Sequence, residues 1–187
     1  MGRGLDVVCG DNWASIVAHE AYRSGQLSGP ELRRLIDDVG LKSVVNLRGA
    51  NPTSWYRSET AACRAAGVRH YDVAMSAREL PEPEVALGLL SILREAPRPL
   101  LVHCRNGADR AGLAAAIYLI QDEGLGVEEA EAAGLSTWRG HVPFGPTGEL
   151  GRFLGLYRTH GSGKSLEQWT REDYPRIFRH EWCPARS

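Results

Sequence analysis

The sequence predicts an α/β fold: a sheet flanked by crossover helices, followed by a helical C-terminal part. Three observations carry this. Short apolar runs alternate with amphipathic stretches through the first two-thirds of the chain, the pattern of strands joined by helices. The run Pro99-Leu-Leu-Val-His103 passes through a tight loop straight into a helix that is apolar on most sides. Beyond residue 127 only helical patterns recur.

Taken in order, residues 1–27 read as a lead-in, irregular over 1–20, with a short strand near Ile16 to Tyr22. Ser28 to Gly40 is a helix: Pro30 suits its first turn, Leu32, Leu35, Ile36 and Val39 form one stripe, and Gly40 closes it. Ser43 to Arg48 reads as a strand with Gly49 and Pro52 after it. Thr53 to Ala66 is a helix ended by Gly67, and Val68 to Met75 a second strand. Pro83 to Ala96 is a helix with Val85, Leu89, Ile92 and Leu93 inward, and Pro99 to His103 a third, buried strand. Arg110 to Glu123 is the central helix, closed by Gly124. Val127–Trp138, Thr147–Thr159 and Ser165–His180 follow as helices, the last bent or broken at Pro175.

A chain of 187 residues can bury a core without disulfides or metals, and one domain over 1–187 is expected, with a helical cap from about residue 127. Twenty-two Lys and Arg against 23 Asp and Glu leave a net charge of −1, which gives no sign of a nucleic-acid or polybasic membrane surface. The longest apolar run, Ala111 to Ile120, is ten residues, against the ~20 that span a bilayer. The first residues hold no apolar signal core. Gly2 is not a myristoylation site, because Asp6 stands where that motif wants Ser or Thr.

No two of Cys9, Cys63, Cys104 and Cys183 have CxxC spacing, which excludes zinc-ribbon and thioredoxin readings. Cysteines outside the chemistry are expected as small core residues. No HxxxH or HExxH pair occurs, so neither a metal nor a cofactor is expected.

The chemistry sits in Cys104-Arg-Asn-Gly-Ala-Asp-Arg110. A loop between a strand and a helix N-terminus turns backbone N–H groups inward, where the helix dipole also favours an anion. Arg105, Asn106, Gly107, Ala108, Asp109 and Arg110 would line that cradle. Gly107 permits the tight turn, and Arg110 can fork two N–H groups onto two phosphate oxygens. A free thiol titrates near ~8.5, and helix N-termini and cations lower it. The field that binds phosphate therefore also makes Cys104 a nucleophile.

His103-Cys104-x5-Arg110 resembles the signature of cysteine-dependent protein phosphatases. In that family the histidine, here His103, braces the loop. Ala21-Tyr-Arg-Ser-Gly-Gln26, Leu41-Lys-Ser-Val-Val-Asn-Leu-Arg-Gly49, Met75-Ser-Ala and His103 to Leu113 together resemble the bacterial dual-specificity-like phosphatases, relatives of the atypical dual-specificity phosphatases of plants and fungi. Leu166 to Tyr174 is similar more loosely, so the likeness spans roughly residues 20–175. It implies a cysteine-phosphatase-like sheet flanked by helices and a cysteinyl-phosphate intermediate. It also implies a phosphorylated protein or small phosphorylated molecule as substrate, with inorganic phosphate or another oxyanion in the loop. A working thiolate prefers a reducing compartment, and a cytoplasmic location is expected. Two departures stand out. The family commonly carries Ser or Thr where this chain has Ala111, and that hydroxyl helps the thiolate leave. Asp109 directly precedes the arginine, as in myotubularin-like phosphoinositide phosphatases.

Cleavage of an unactivated ester needs a proton donor for the leaving oxygen. Asp109 is the first candidate, since a neighbouring dianion favours its protonated form. Asp72, 32 residues before Cys104 but inside a strand pattern, and Glu79, in the loop Ser76 to Glu84, are the alternatives. Phosphotyrosine or phosphoserine/threonine proteins, phosphoinositides and inositol phosphates all suit the loop. Its one added cation, Arg105, is offset by Asp109, a balance that favours simple phosphomonoesters. Two other classes compete: a non-catalytic phosphate-binding module, for which Ala111 speaks, and a rhodanese-like sulfurtransferase, whose loops generally lack the six-residue spacing from Cys to Arg. Arg48 ends a strand on the ligand side of an α/β sheet, where a salt bridge is the plainer role. Trp55, Tyr56, Trp138 and Trp169 could line a pocket, though packing is the plainer role. Gly161-Ser-Gly-Lys-Ser165 imitates half a nucleotide-binding loop, but no strand precedes it, and a linker between helices is expected.

Overall fold

A computed structural model describes residues 12–182. Its sheet has five strands in the order β1-β2-β5-β3-β4: β1 (Ala14–Val17), β2 (Ala21–Ser24), β3 (Ser43–Asn46), β4 (Arg69–Asp72) and β5 (Leu100–His103). Only β1 runs antiparallel; β2, β5, β3 and β4 are parallel. The helices are α1 (Gly29–Val39), α2 (Ser54–Ala66), α3 (Pro83–Glu95), α4 (Arg110–Gln121), α5 (Val127–Gly134), α6 (Gly148–His160), α7 (Leu166–Glu172) and α8 (Tyr174–Trp182).

The period-two alternation of the central strands splits the core into two faces. Val45, Leu100 and Val102 pack with Leu89, Leu93, Leu113, Ile117, Phe153 and Trp169 of the helices α3, α4, α6 and α7. Val44 and Leu101 point the other way, onto Leu32, Leu35 and Ile36 of α1 and Cys63 of α2. Ser28 caps α1 with a full capping box to Glu31, and Gly40 closes it in the left-handed conformation, as the stripe predicts.

Three corrections concern the ends. The lead-in carries two strands: β1 and β2 form a hairpin, bulged between Ser15 and Val17, with His19 at φ 64° in its turn. The run Ile16 to Tyr22 straddles that turn, which lacks the Asn-Gly or Asp-Gly signature of tight hairpins, so the sequence shows one strand where there are two. The helix expected to Trp138 stops at Gly134, and Thr137–Arg139 is a single 3-10 turn. In the last helix the break falls at Asp173, ahead of Pro175. Cys9 and Cys183 lie outside the described residues, and among these no helix is long and apolar enough to cross a membrane.

Candidate active site

The parallel strands end in one row. Ser24 is in register with His103, His103 with Asn46, and Asn46 with Asp72. The segment 104–110 leaves β5 at the centre of this row, at the carboxyl edge where α/β sheets bind ligands.

The carbonyl oxygens of that loop are held from outside. Gln26 N–H donates to Arg105 O (3.0 Å) and Asn12 Nδ2 to Asn106 O (2.7 Å). Arg23 Nη2 donates to Gly107 O (2.5 Å) and Ala108 O (3.0 Å), while its Nη1 reaches Gly134 O. No N–H of residues 105–109 donates to a protein acceptor among the described residues. Successive peptide groups with their carbonyls anchored outward and their N–H groups unspent form an anion cradle. Asp109, at the N-cap of α4, supplies no side-chain cap, so the first turn of that helix keeps its N–H groups for a ligand.

Gly107 is required for this shape. Its φ is +70°, and a Cβ there would lie 2.6 Å from Gly25 N and 2.7 Å from the Ser24 carbonyl carbon. Cys104 sits at the inner lip, 3% exposed, its N–H 3.4 Å from Ser24 O. Arg110 opens α4. Its Nη1 rests on Leu47 O (3.2 Å) and Met75 O (3.3 Å), and its buried Nε has no partner among the described residues. Ala111 is fully buried behind the loop.

His103 packs behind the cysteine, 2% exposed, with Nε2 3.2 Å from Glu59 Oε1, an ion-pair distance outside hydrogen-bond geometry. Glu59 also meets His70 Nε2 (2.8 Å) and accepts from Gln26 Nε2 (2.6 Å). Burial pushes its carboxyl up, but His103, His70 and Gln26 outweigh this and hold it at about 2. The other described free thiol, Cys63, is a packed core residue that burial, then Glu59, pushes up to about 12.

The three candidate acids fall in different places. Asp109 Oδ1 lies 2.8 Å from Nδ1 of the buried His141. Asp72 ends β4, two strands from β5, and is engaged by Asn46 Nδ2 (2.8 Å) and Tyr56 OH (2.6 Å). Glu79 is exposed in the loop after Met75, with no hydrogen bond or ion pair among the described residues. It lines a recess of about 200 Å³ with Ser76, Leu80 and Val85.

Four residues of this site carried no functional expectation from sequence: Arg23, Glu59, Asn12 and His141. One signal existed: Arg23 lies inside the segment Ala21 to Gln26 that carries the family resemblance. In the fold β2 is buried at all four positions, and an arginine inside such a strand must have an internal partner. Burial, followed by repulsion from Arg139, lowers Arg23 to about 10, against the pull of Cys104 and Asp109. Trp55 stacks under Arg48, Trp169 is core, and Trp138 stands 98% exposed on a recess that it shares with Asn106 and Asp109. Gly161–Ser165 is a turn between α6 and α7, with Lys164 paired to Asp173 and Glu172. Among the described residues no group of three or more His, Cys, Asp or Glu is placed to hold a metal ion.

The family model described as PTP-SAK, Swiss Army Knife protein, DSP-PTPase phosphatase domain, matches residues 19–138. The chain belongs to this family. The phosphatase is similar in fold to the core catalytic domain of the PP-IP phosphatase SIW14 from S. cerevisiae, with a TM-score of 0.56 and 20% identity over 82% of this chain and 96% of that one. P. aeruginosa TpbA gives 0.55 and 22% over 80% and 97%. A mutant form of Tk-PTP gives 0.62 and 22% over 79% and 96%. No curated protein sequence matches. The enzyme is a cysteine-type phosphatase of the protein-tyrosine/dual-specificity kind, and its mixed sheet flanked by helices is the fold that the resemblance implies.

Proposed function

We propose that the whole chain is one phosphatase domain that hydrolyses phosphomonoesters through a cysteinyl-phosphate intermediate on Cys104, in a reducing, cytoplasmic setting. The loop N–H groups and the Arg110 fork hold the three non-bridging oxygens. The thiolate attacks phosphorus in line, and the P–O bond to the leaving group breaks as Asp109 donates its proton to that oxygen. Water then attacks the phosphocysteine, Asp109 takes its proton, and the sulfur departs as thiolate. His141, bonded to the other side of the Asp109 carboxyl, is a positioning residue. His103, backed by Glu59, braces the base of the loop.

The observation that carries this reading is the loop whose carbonyls at 105–108 are all held from outside while its N–H groups are unspent. Against a rhodanese-like transfer stands the six-residue spacing from Cys104 to Arg110, which such loops generally lack. Among structural neighbours, SIW14 was solved with citrate and TpbA with phosphotyrosine, both anionic ligands that suit such a cradle.

The test is Cys104→Ser. Turnover of p-nitrophenyl phosphate should vanish while orthovanadate or phosphate still binds by calorimetry. Retention of more than a few per cent of the parent rate, about a 1.5–2 kcal/mol change in barrier, would sink the cysteinyl-phosphate mechanism.

A further inference from the structure

Two cations at the mouth of the loop take no part in the chemistry above. Arg48 follows β3 directly after Leu47, whose N–H donates to His103 O (2.9 Å) and whose carbonyl accepts from Arg110. Its guanidinium lies 3.7 Å from the centre of the Trp55 ring and donates through Nη1 to Gln26 Oε1 (2.8 Å). Gln26 is also the residue whose N–H holds Arg105 O. Gln26 thus ties both residues to the rim beside Arg110: its side chain accepts from Arg48, and its N–H holds the backbone of Arg105. Arg105 is exposed, and its side chain makes no hydrogen bond or ion pair among the described residues.

Neither arginine has a carboxylate partner there. The carboxylates of this region are committed elsewhere: Glu59 to the two histidines and Gln26, Asp72 to Asn46 and Tyr56, Asp109 to His141. Burial, then repulsion from Arg110 and Arg105, lowers the pKa of Arg48, as expected of cations sharing one field. A stacked guanidinium with one hydrogen bond is fixed in place while most of its N–H groups are unspent. The loop's composition alone balances Arg105 against Asp109, but in the fold Asp109 turns to His141 and Arg48 joins Arg105 in its place.

We propose that Arg48 and Arg105 form a second anion subsite beside the phosphate loop, and that the substrate is a small phosphomonoester bearing a second phosphate next to the scissile one. This rests on the reading of loop 104–110 as the phosphatase site. A second phosphate in reach of the stacked fork would relieve the repulsion among the three arginines and gain charge-assisted hydrogen bonds.

The test uses the full chain carrying Cys104→Ser, so that binding is read without turnover. Calorimetry compares myo-inositol 4-phosphate with myo-inositol 4,5-bisphosphate, which differ by one vicinal phosphate. The bisphosphate should bind at least about tenfold tighter, the scale of one charge-assisted hydrogen bond. Adding Arg48→Gln or, separately, the surface change Arg105→Gln should shrink that ratio about tenfold. The ratio cancels any general loss of folded protein, and the exposed Arg105 keeps the test open if Arg48→Gln misfolds. Sedimentation with phosphatidylcholine vesicles containing phosphatidylinositol 4,5-bisphosphate assigns the ligand to a lipid headgroup if the protein binds them, and to a free metabolite if only the soluble bisphosphate binds. Equal affinities for the two inositols, a ratio unmoved by both variants, or tighter binding of an acidic phosphotyrosine peptide than of the bisphosphate would overturn the proposal. Failure of the phosphatase reading looks different: aryl phosphate hydrolysis insensitive to Cys104→Ser.

Discussion

Arg23 donates from β2 to the carbonyl oxygen of Gly107 at the crest of the phosphate loop. The same guanidinium reaches Ala108 O and Gly134 O, joining sheet, loop and the end of α5 in one buried fork.

Arg23→Lys tests that fork. An ammonium is a point donor and cannot span both sides. Losing buried charge-assisted bonds costs about 3 kcal/mol, which for this size lowers the melting temperature by about 6–12 °C. kcat/KM on p-nitrophenyl phosphate should fall more than about tenfold, since the loop loses its outer anchor. A variant with parental melting and parental kinetics would show that Gly107 is held by other means.

Glu59 makes acid stability predictable. Its carboxyl is held at about 2 against an ordinary 4.5, so the folded state binds its proton less readily than the unfolded chain. That stabilisation, about 3 kcal/mol, is complete above pH ~4.5 and is lost as the pH falls through about 2. Urea unfolding of the parent should weaken across that window. Glu59→Gln should be less stable near pH 6 and have a flatter profile below pH 4.5. Parallel profiles for the two proteins would remove Glu59 from the linkage.

Asp109 and His141 separate by leaving group. If Asp109 is the acid, Asp109→Asn should slow phosphoserine or alkyl phosphates by about 10²–10⁴-fold and p-nitrophenyl phosphate far less. His141→Asn should show the same skew in smaller measure, because it acts through Asp109. Equal losses on both substrate classes would make the pair a structural tie and return the role to Asp72 or to Glu79, in the loop after Met75.

Ala111 should make phosphoenzyme breakdown slow. A hydrogen bond to a departing thiolate is worth about 1.5–3 kcal/mol, or roughly ten- to a hundredfold in rate. Stopped-flow should show a burst of nitrophenol, and Ala111→Ser should shrink the burst and raise the steady-state rate. No burst and no gain would show that another group of the loop supplies the missing donor.

The parts of this site legible in sequence are those contiguous along the chain. Cys104 to Arg110 announces itself because strand, loop and helix follow one another within a dozen residues. Its supports come from elsewhere in the sequence: Asn12 holds Asn106, 94 residues on, and Arg23 holds Gly107, 84 residues on. Nothing local marks a histidine at 141 as the partner of an aspartate 32 residues earlier. The hairpin β1–β2 hides for a related reason: four-residue strands without a glycine turn carry too little pattern to be divided. The amphipathic helices α1, α2 and α3, with apolar stripes closed by Gly40, Gly67 and a proline start, are legible almost to the residue.

The match to the family stops at residue 138, yet the site leans on what lies beyond. Phe153, Trp169 and Tyr174 are fully buried against one another, and the Tyr174 hydroxyl donates to Pro81 O, in the loop that carries Glu79. The recognisable unit is therefore smaller than the foldable one. A chain truncated at 138 would bare the outer side of α3 and α4 to water and cut the tie on Pro81. Lesions in this aromatic cluster would then be scored as losses of catalysis, though its residues act through packing.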